Sequence, residues 1–305
     1  MTSTEVSPRS KIDGDRFRGL IVSADDFGMS AGVNAAVERA HSEGVLTQTS
    51  LMVNGAAASE AVAVAVRSPT LAVGLHLVLV QGRASLPPHD IPELVDSDGM
   101  LPTAPIWSGV RYFFSPRLRE QVRREVLAQL EAFASTGLPL SHLDGHLTIH
   151  MHPVVLDIIC EVHQRYAIRC VRLPLEPVAP SLDFDRRFLG RKLREAAIFH
   201  VLARYARARL RKCGILYADR MFGMHQTGHV NEAYLLHLLD RLDEGVSELY
   251  CHPGVTDAEI RYWTPDYDRD GELAALVSPR VKEAIASRGI TLTSYCELGR
   301  RQAAA

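Results

Sequence analysis

The stretch IVSADDFGMSAGVN, residues 21–34, carries the first βα unit and two acids. The apolar run LIVSA at 20–24 reads as a buried strand. Ser30 can cap the helix that follows, and Gly44 can end it. Between strand and helix stand Asp25 and Asp26. Neighbouring side chains on a regular strand point to opposite faces. Two adjacent carboxylates can therefore share one site only if the strand stops near Asp25 and a turn aims both into one mouth. The plainer reading of such a pair is a turn cap, with Asp26 accepting from nearby backbone N–H groups.

Outward from this unit, strand-like and helix-like segments keep alternating. TQTSLMVNG (47–55) and LAVGLHLVL (71–79) read as strands, with an Ala- and Val-rich helix between them that stops before Pro69. Residues 80–110 carry several prolines and no periodicity, so they read as a long loop, of the kind that is often functional. PRLREQVRREVLAQLEAFASTG (116–137) is an amphipathic helix with Pro near its start and Gly at its end. SHLDGHL (141–147) reads as a strand or strand end, Pro153 opens a helix, and CVRLP (170–174) reads as a strand. A basic helical segment follows at 186–213. ILYAD (215–219), a helix near 231–243, SELYCHPG (247–254), a helix near 272–288 and ITLTSY (290–295) complete the chain.

That makes roughly eight βα-like repeats, the number a barrel needs. The expected fold is α/β: a (βα) barrel-like domain, a distorted or incomplete TIM-type barrel, with an open doubly wound sheet as the alternative. No fixed-period repeat or composition shift divides the chain, so one domain is expected over 18–298. Residues 1–17 are expected to be a disordered tail and 299–305 a C-terminal tail.

Composition narrows the function classes. Of 305 residues, 47% are apolar, enough for a sizeable core, and the formal net charge of −2 argues against a nucleic-acid partner. The five cysteines are scattered without a C-x-x-C pair, which argues against both disulfides and a thiolate metal site. The polar N-terminus lacks the apolar core of a signal peptide, and no apolar run is long enough to span a bilayer. A cytoplasmic protein is expected.

Four stretches place polar residues at or near strand ends, where barrel active sites are built. They are Asp25 with Asp26, His76 in GLHL, His142, Asp144 and His146 in SHLDGH, and His252 in CHPG. His142, Asp144 and His146 share a strand face by their period of two. Histidine with carboxylate suits Zn²⁺ and related ions, and three protein ligands would leave a position for water. Asp144 could instead hold a ligand histidine in its tautomer. His150 would share a face with His146 if the chain were already helical there. Alone, His76 reads as a core histidine and His252 as part of a Pro-Gly turn. Cys251 reads as packing, and His41, His163 and His237 as structural or solvated. Glycine-rich phosphate motifs are absent.

Together, ADDFGMSAGVN, VNG, GLHL, HLDGH and CHPG resemble the YdjC-like carbohydrate deacetylases. GLHLVLVQGRASLPPHDIPELVDSDG, GVRYFF and VRLPLEPV are similar to the hopanoid-biosynthesis-associated HpnK branch. The resemblance runs over residues 18 to 298. It implies a barrel-like fold, hydrolysis of an N-acetyl group on an amino sugar, and one divalent ion held by an aspartate and two histidines. The histidines implied are His76 and His146. Asp26 would be the third ligand and Asp25 the base, although the sequence leaves the two aspartate roles exchangeable. Many relatives carry another histidine where this chain has Thr148, so that position is not counted as a ligand.

Zinc is the ion that histidine-rich ligation favours, with magnesium as the alternative. His252 is the candidate acid for the leaving amine. Arg172 would steady a carboxylate or a substrate hydroxyl, or else form a surface salt bridge. His142, Asp144 and His150 are expected to support the ligands. The basic segment 186–213 reads as a solvated helix on the barrel or as a peripheral contact with an anionic membrane. The expected substrate is an N-acetylglucosamine-type head on a hopanoid lipid. A soluble chito-oligosaccharide and a non-catalytic metal- or sugar-binding barrel are the rivals, and a homodimer is a further option.

Overall fold

Seven parallel strands form one curled sheet in the computed structural model, which describes residues 17–304 apart from 188. The expected N-terminal tail lies, except for Phe17, outside the described residues. The strands are β1 (Arg18–Phe27), β2 (Gln48–Leu51), β3 (Ala72–Leu77), β4 (Leu143–Gly145), β5 (Arg220–Phe222), β6 (Gly245–Cys251) and β7 (Thr291–Thr293). Their order is β4-β3-β2-β1-β6-β5, with β7 paired to β1.

β1 is the centre of the sheet. Nine of its ten residues are buried, which is why it reads as a continuous apolar run rather than an alternating one. β6 pairs with it from Arg18 to Ala24. β7 pairs with its first half, Gly19–Ile21, and β2 with its second half, Ser23–Phe27. Isolated parallel bridges, Leu143 to Val171 and Cys170 to Leu216, carry the curl from β4 towards the run that becomes β5. The result is a distorted (βα) barrel rather than an open doubly wound sheet.

Several boundaries differ from the sequence reading, each for a local reason. CVRLP and ILYAD make single bridges only, and the strand expected at 215–219 forms one step later, at β5. SHLDGHL contributes just three strand residues, because the chain turns into a 3-10 segment, His146–Met151. The loop at 80–110 ends early, where Pro105 opens the helix Pro105–Phe114. The helix near 272–288 is two helices, Arg269–Val277 and Pro279–Ser287. Pro279 lacks an N–H, and Ser278 caps the second helix by accepting from Val281 N. Residues 299–304 continue the helix Tyr295–Ala304.

The basic segment forms the helix Leu189–Cys213. It packs against the helix Pro153–Val162 and buries Ala203, Ala206 and Leu210. No helix among the described residues is long and apolar enough to cross a membrane.

Candidate metal centre

β1 does not stop at Asp25. It runs on to Phe27, but its register with β2 slips between Ala24 and Phe27, and Asp26 takes a φ of +65°. A bulge of this kind re-aims a side chain, and Asp tolerates the left-handed region at a cost of about 1 kcal/mol or more. This answers how two neighbouring acids reach one site: a kink within the strand, not its end. The turn beyond is braced by Asn34, which accepts from Gly28 N at 2.9 Å and donates to Ala57 O at 3.0 Å. Among the described residues the Asp26 side chain caps no backbone N–H; its backbone carbonyl accepts from Met29 N.

Asp26 Oδ1 lies 3.1 Å from His146 Nδ1 and 3.5 Å from His76 Nε2. One ligand atom from each of Asp26, His76 and His146 fits within a 4.8 Å group, and all three residues are buried. His76 Nδ1 lies 2.8 Å from Asp144 Oδ1 and 3.0 Å from Ser50 Oγ, so its Nε2 is the free face. A histidine fixed at one nitrogen and offered at the other is the arrangement of a metal ligand with its supporting carboxylate. The donor set therefore fits a divalent ion. Burial works against charge on His76, yet Asp144, Asp25 and Asp26 together raise its pKa to about 9. Against the same burial, Arg269 and His146 hold the Asp26 carboxyl well below the usual range.

Asp25, His76 and Asp144 form a second group of similar size. There, however, Arg172 already supplies the cation. It donates to both oxygens of Asp25 at 2.7 and 2.8 Å, to Ser23 Oγ at 2.9 Å and to Glu248 Oε1 at 2.9 Å, and lies 2.9 Å from Asp144 Oδ2. Arg172 is buried, so it makes no surface salt bridge; it steadies a carboxylate. Burial raises the pKa of Asp25, with Arg172 opposing.

The supporting histidines divide. His142 sits 3.7 Å from Asp144 Oδ2, beyond hydrogen-bond reach, and donates to or accepts from Ser141 Oγ at 3.0 Å. Its ring fills the space at Gly74, where an added Cβ would come within 2.5 Å of His142 Cε1. His150 does not share a face with His146. Leu147 and Thr148, both at positive φ, break any helix between them. His150 Nε2 instead meets Arg172 O at 3.0 Å, and burial lowers its pKa to about 4.

His252 follows β6, and its backbone N–H is accepted by Glu272. Its ring lies 5.0 Å from that of Tyr267, and Nδ1 has no partner among the described residues. Burial pushes its pKa down to about 3, despite Asp26, so the free imidazole is neutral. Cys251 Sγ reaches Ser23 O from a buried position and serves packing. His41, His163 and His237 each contact a backbone carbonyl away from the site.

Sequence reasoning missed Arg269, Glu248, Ser50 and Tyr267. Arg269 Nη2 donates to Asp26 Oδ2 at 2.5 Å. That leaves Oδ1 for the histidine side of the site. Arg269 belongs to DYDRDGE, a polar stretch with no apolar periodicity to mark it as buried.

The family model described as YdjC-like protein matches residues 19–287. The chain belongs to the YdjC-like family. A relative from Geobacillus stearothermophilus named carbohydrate deacetylase is 33% identical over 92% of this chain and 98% of its own. A relative from Serratia marcescens named chitooligosaccharide deacetylase is 32% identical over the same shares. A crystal structure from Enterococcus faecalis, described as that of a proposed cellobiose-phosphate cleavage protein, superposes with a TM-score of 0.70. It is 28% identical and covers 92% of this chain and 99% of its own.

Proposed function

We propose that this protein is a metal-dependent carbohydrate deacetylase that hydrolyses the N-acetyl group of an amino sugar. The observation that carries the reading is the convergence of Asp26, His76 and His146 within 4.8 Å, beside an Asp25 held at both oxygens by Arg172. The names of the relatives support the substrate class.

A divalent ion held by Asp26, His76 and His146, zinc or magnesium, would supply a Lewis acid for the amide carbonyl and a lowered pKa for water. The geometry favours Asp26 over Asp25 as the ligand, since Arg172 holds both oxygens of Asp25 whereas Arg269 holds only Oδ2 of Asp26. Asp25 takes the proton of the attacking water, and its raised pKa suits a base. The water oxygen bonds to the acyl carbon, the carbon–nitrogen bond breaks, and the nitrogen takes up the proton. His252, neutral in the free enzyme, is the group proposed to receive that proton from Asp25 and pass it to the nitrogen, ending neutral again. Arg172 acts through Asp25 and is a positioning residue. Asp144 orients His76, His142 packs behind Asp144, and His150 braces the Arg172 backbone.

The finer reading is a glycosylated hopanoid as substrate, on the similarity of the GVRYFF and VRLPLEPV stretches to the hopanoid branch. Exposed apolar faces support it. The helix Pro105–Phe114 exposes Ile106, Trp107, Val110, Phe113 and Phe114, and no acid occurs between 105 and 119, where Arg111, Arg117 and Arg119 stand. The helix Leu189–Cys213 exposes Leu193, Ile198 and Val201 among its arginines. Both pack against the segment that begins at His146. A cavity of about 280 Å³ beside the second helix is lined by Leu175, Phe199 and Met224 and by charged residues of both signs, Glu176, Arg207 and Asp219 among them. Such surfaces suit an anionic bilayer and an apolar aglycone at the cytoplasmic face. The soluble chito-oligosaccharide reading is favoured instead by the Serratia relative's name.

Acetate release from an N-acetylglucosaminyl hopanoid and from N,N′-diacetylchitobiose, with chelator and after metal add-back, tests both levels. Metal-restored release from either supports the chemistry, and the preferred substrate decides the finer reading. No release from either substrate by metal-loaded protein would leave a binding barrel.

A further inference from the structure

Arg269 is fully buried, yet its guanidinium is only partly used. Nε donates to Thr264 Oγ1 at 2.9 Å and Nη2 to Asp26 Oδ2 at 2.5 Å. The plane lies over the Tyr267 ring, 5.5 Å from its centre. Nη1 has no partner among the described residues. A buried, unpaired guanidinium nitrogen is costly, because nothing replaces the water it has lost. His252, whose ring lies 5.0 Å from that of Tyr267, also carries a ring nitrogen, Nδ1, with no partner among the described residues. Two side chains that each carry an orphaned nitrogen thus contact one aromatic ring, and one of them, Arg269, also binds Asp26.

The chain takes trouble to seat this arginine. Arg269 opens the helix Arg269–Val277, and its carbonyl accepts from Gly254 N at 3.1 Å. Gly254 has no room for a side chain: an added Cβ would lie 3.1 Å from both Cβ and Cδ of Arg269. The CHPG motif therefore places His252 and makes space for Arg269 in the same four residues.

We propose that Arg269 is a catalytic residue as well as a support for Asp26, offering Nη1 to the acetyl oxygen as that oxygen becomes negative. A guanidinium keeps its charge at every working pH and matches an oxyanion or a carboxylate. The same nitrogen would then hold the product acetate. This inference rests on the deacetylase reading.

The test compares wild type, Arg269→Gln and Arg269→Lys, each loaded with Zn²⁺ and checked for metal content and folding. Acetate is the probe, titrated into each protein and followed by its NMR line width. Turnover of N,N′-diacetylchitobiose gives kcat and KM. Arg269→Gln should keep one ion per chain, bind acetate at least roughly tenfold more weakly, and lose about 10²–10³ in kcat with little change in KM. Arg269→Lys, which keeps the charge, should recover part of both losses. If either variant binds metal and acetate like wild type, the inference is overturned. The same holds if kcat falls only in step with metal content, since support of Asp26 would then be the whole role. If Arg269→Gln cannot hold metal or fold, the lysine variant decides by the same criteria. A wild type that binds acetate but releases none from any sugar would instead overturn the deacetylase reading.

Discussion

Asp25 and Asp26 are neighbours in one strand but answer to different arginines. Arg172 grips both oxygens of Asp25, whereas Arg269 takes a single oxygen of Asp26 and leaves the other facing His76 and His146. The kink at Asp26 makes this division possible. It separates a carboxylate that can work as a base from one that can bind a cation.

Asp25→Asn should therefore keep its metal and lose turnover. Arg172 retains Asp144 and Glu248, so the fold should stand. The expected loss in kcat is roughly 10²–10⁴. Metal analysis alongside steady-state kinetics checks this, and full activity in the variant would remove Asp25 from the base role.

Gly254→Ala should damage the site without touching a polar group. Its methyl would crowd Ile260 Cδ1 at 2.8 Å and Arg269 at 3.1 Å. Overpacking of this kind costs about 1–3 kcal/mol. A lowered melting temperature together with reduced kcat is expected. A variant with normal stability and normal kcat would show that the close approach is unimportant.

These two predictions mark the limits of what the sequence discloses. β1 is legible because it is buried on both faces and so stays apolar throughout. His142, Asp144 and His146 are legible as a group from their period of two, whereas His76, alone a core histidine by pattern, joins them only through the family resemblance. Arg269 is not legible: it lies 243 positions from Asp26, at the first position of a helix, in a polar stretch that looks solvated. The strands at CVRLP and ILYAD shrink to single bridges, because tertiary closure rather than local pattern sets their pairing. The turn after His146 hid as well, since left-handed Leu147 and Thr148 carry no glycine to announce it.

Glu272 supplies a pH signature. Its carboxyl accepts from Val230 N and His252 N, and burial still pushes its pKa up from 4.5 to about 7. Between those values the folded chain keeps a proton that the unfolded chain releases. Stability from this group is thus greatest below pH 4.5 and falls as the pH rises through 7, by about 3 kcal/mol in all. Glu272→Gln cannot titrate, although its amide loses one acceptor. The slope of melting temperature against pH should flatten in the variant between pH 5 and 8, whatever its absolute stability. An unchanged slope would clear Glu272 of this role.

The apolar face at Trp107 and Phe114 can be tested apart from catalysis. Both side chains are largely exposed, at 64% and 73%, so serine at both positions should leave the fold intact. Binding to phosphatidylglycerol vesicles at low salt should weaken by roughly tenfold or more, given what burying each aromatic contributes. Wild type that ignores such vesicles, or that buries the face in a dimer seen by light scattering, would set the membrane reading aside.

Metal content by elemental analysis, measured with acetate release on the same samples, bears most directly on the site. Wild type should carry one divalent ion per chain. His76→Ala and His146→Ala should lose the ion and the activity together, whereas Asp25→Asn should lose activity alone. If the two histidine variants kept a full complement of metal, Asp26, His76 and His146 would not be its ligands.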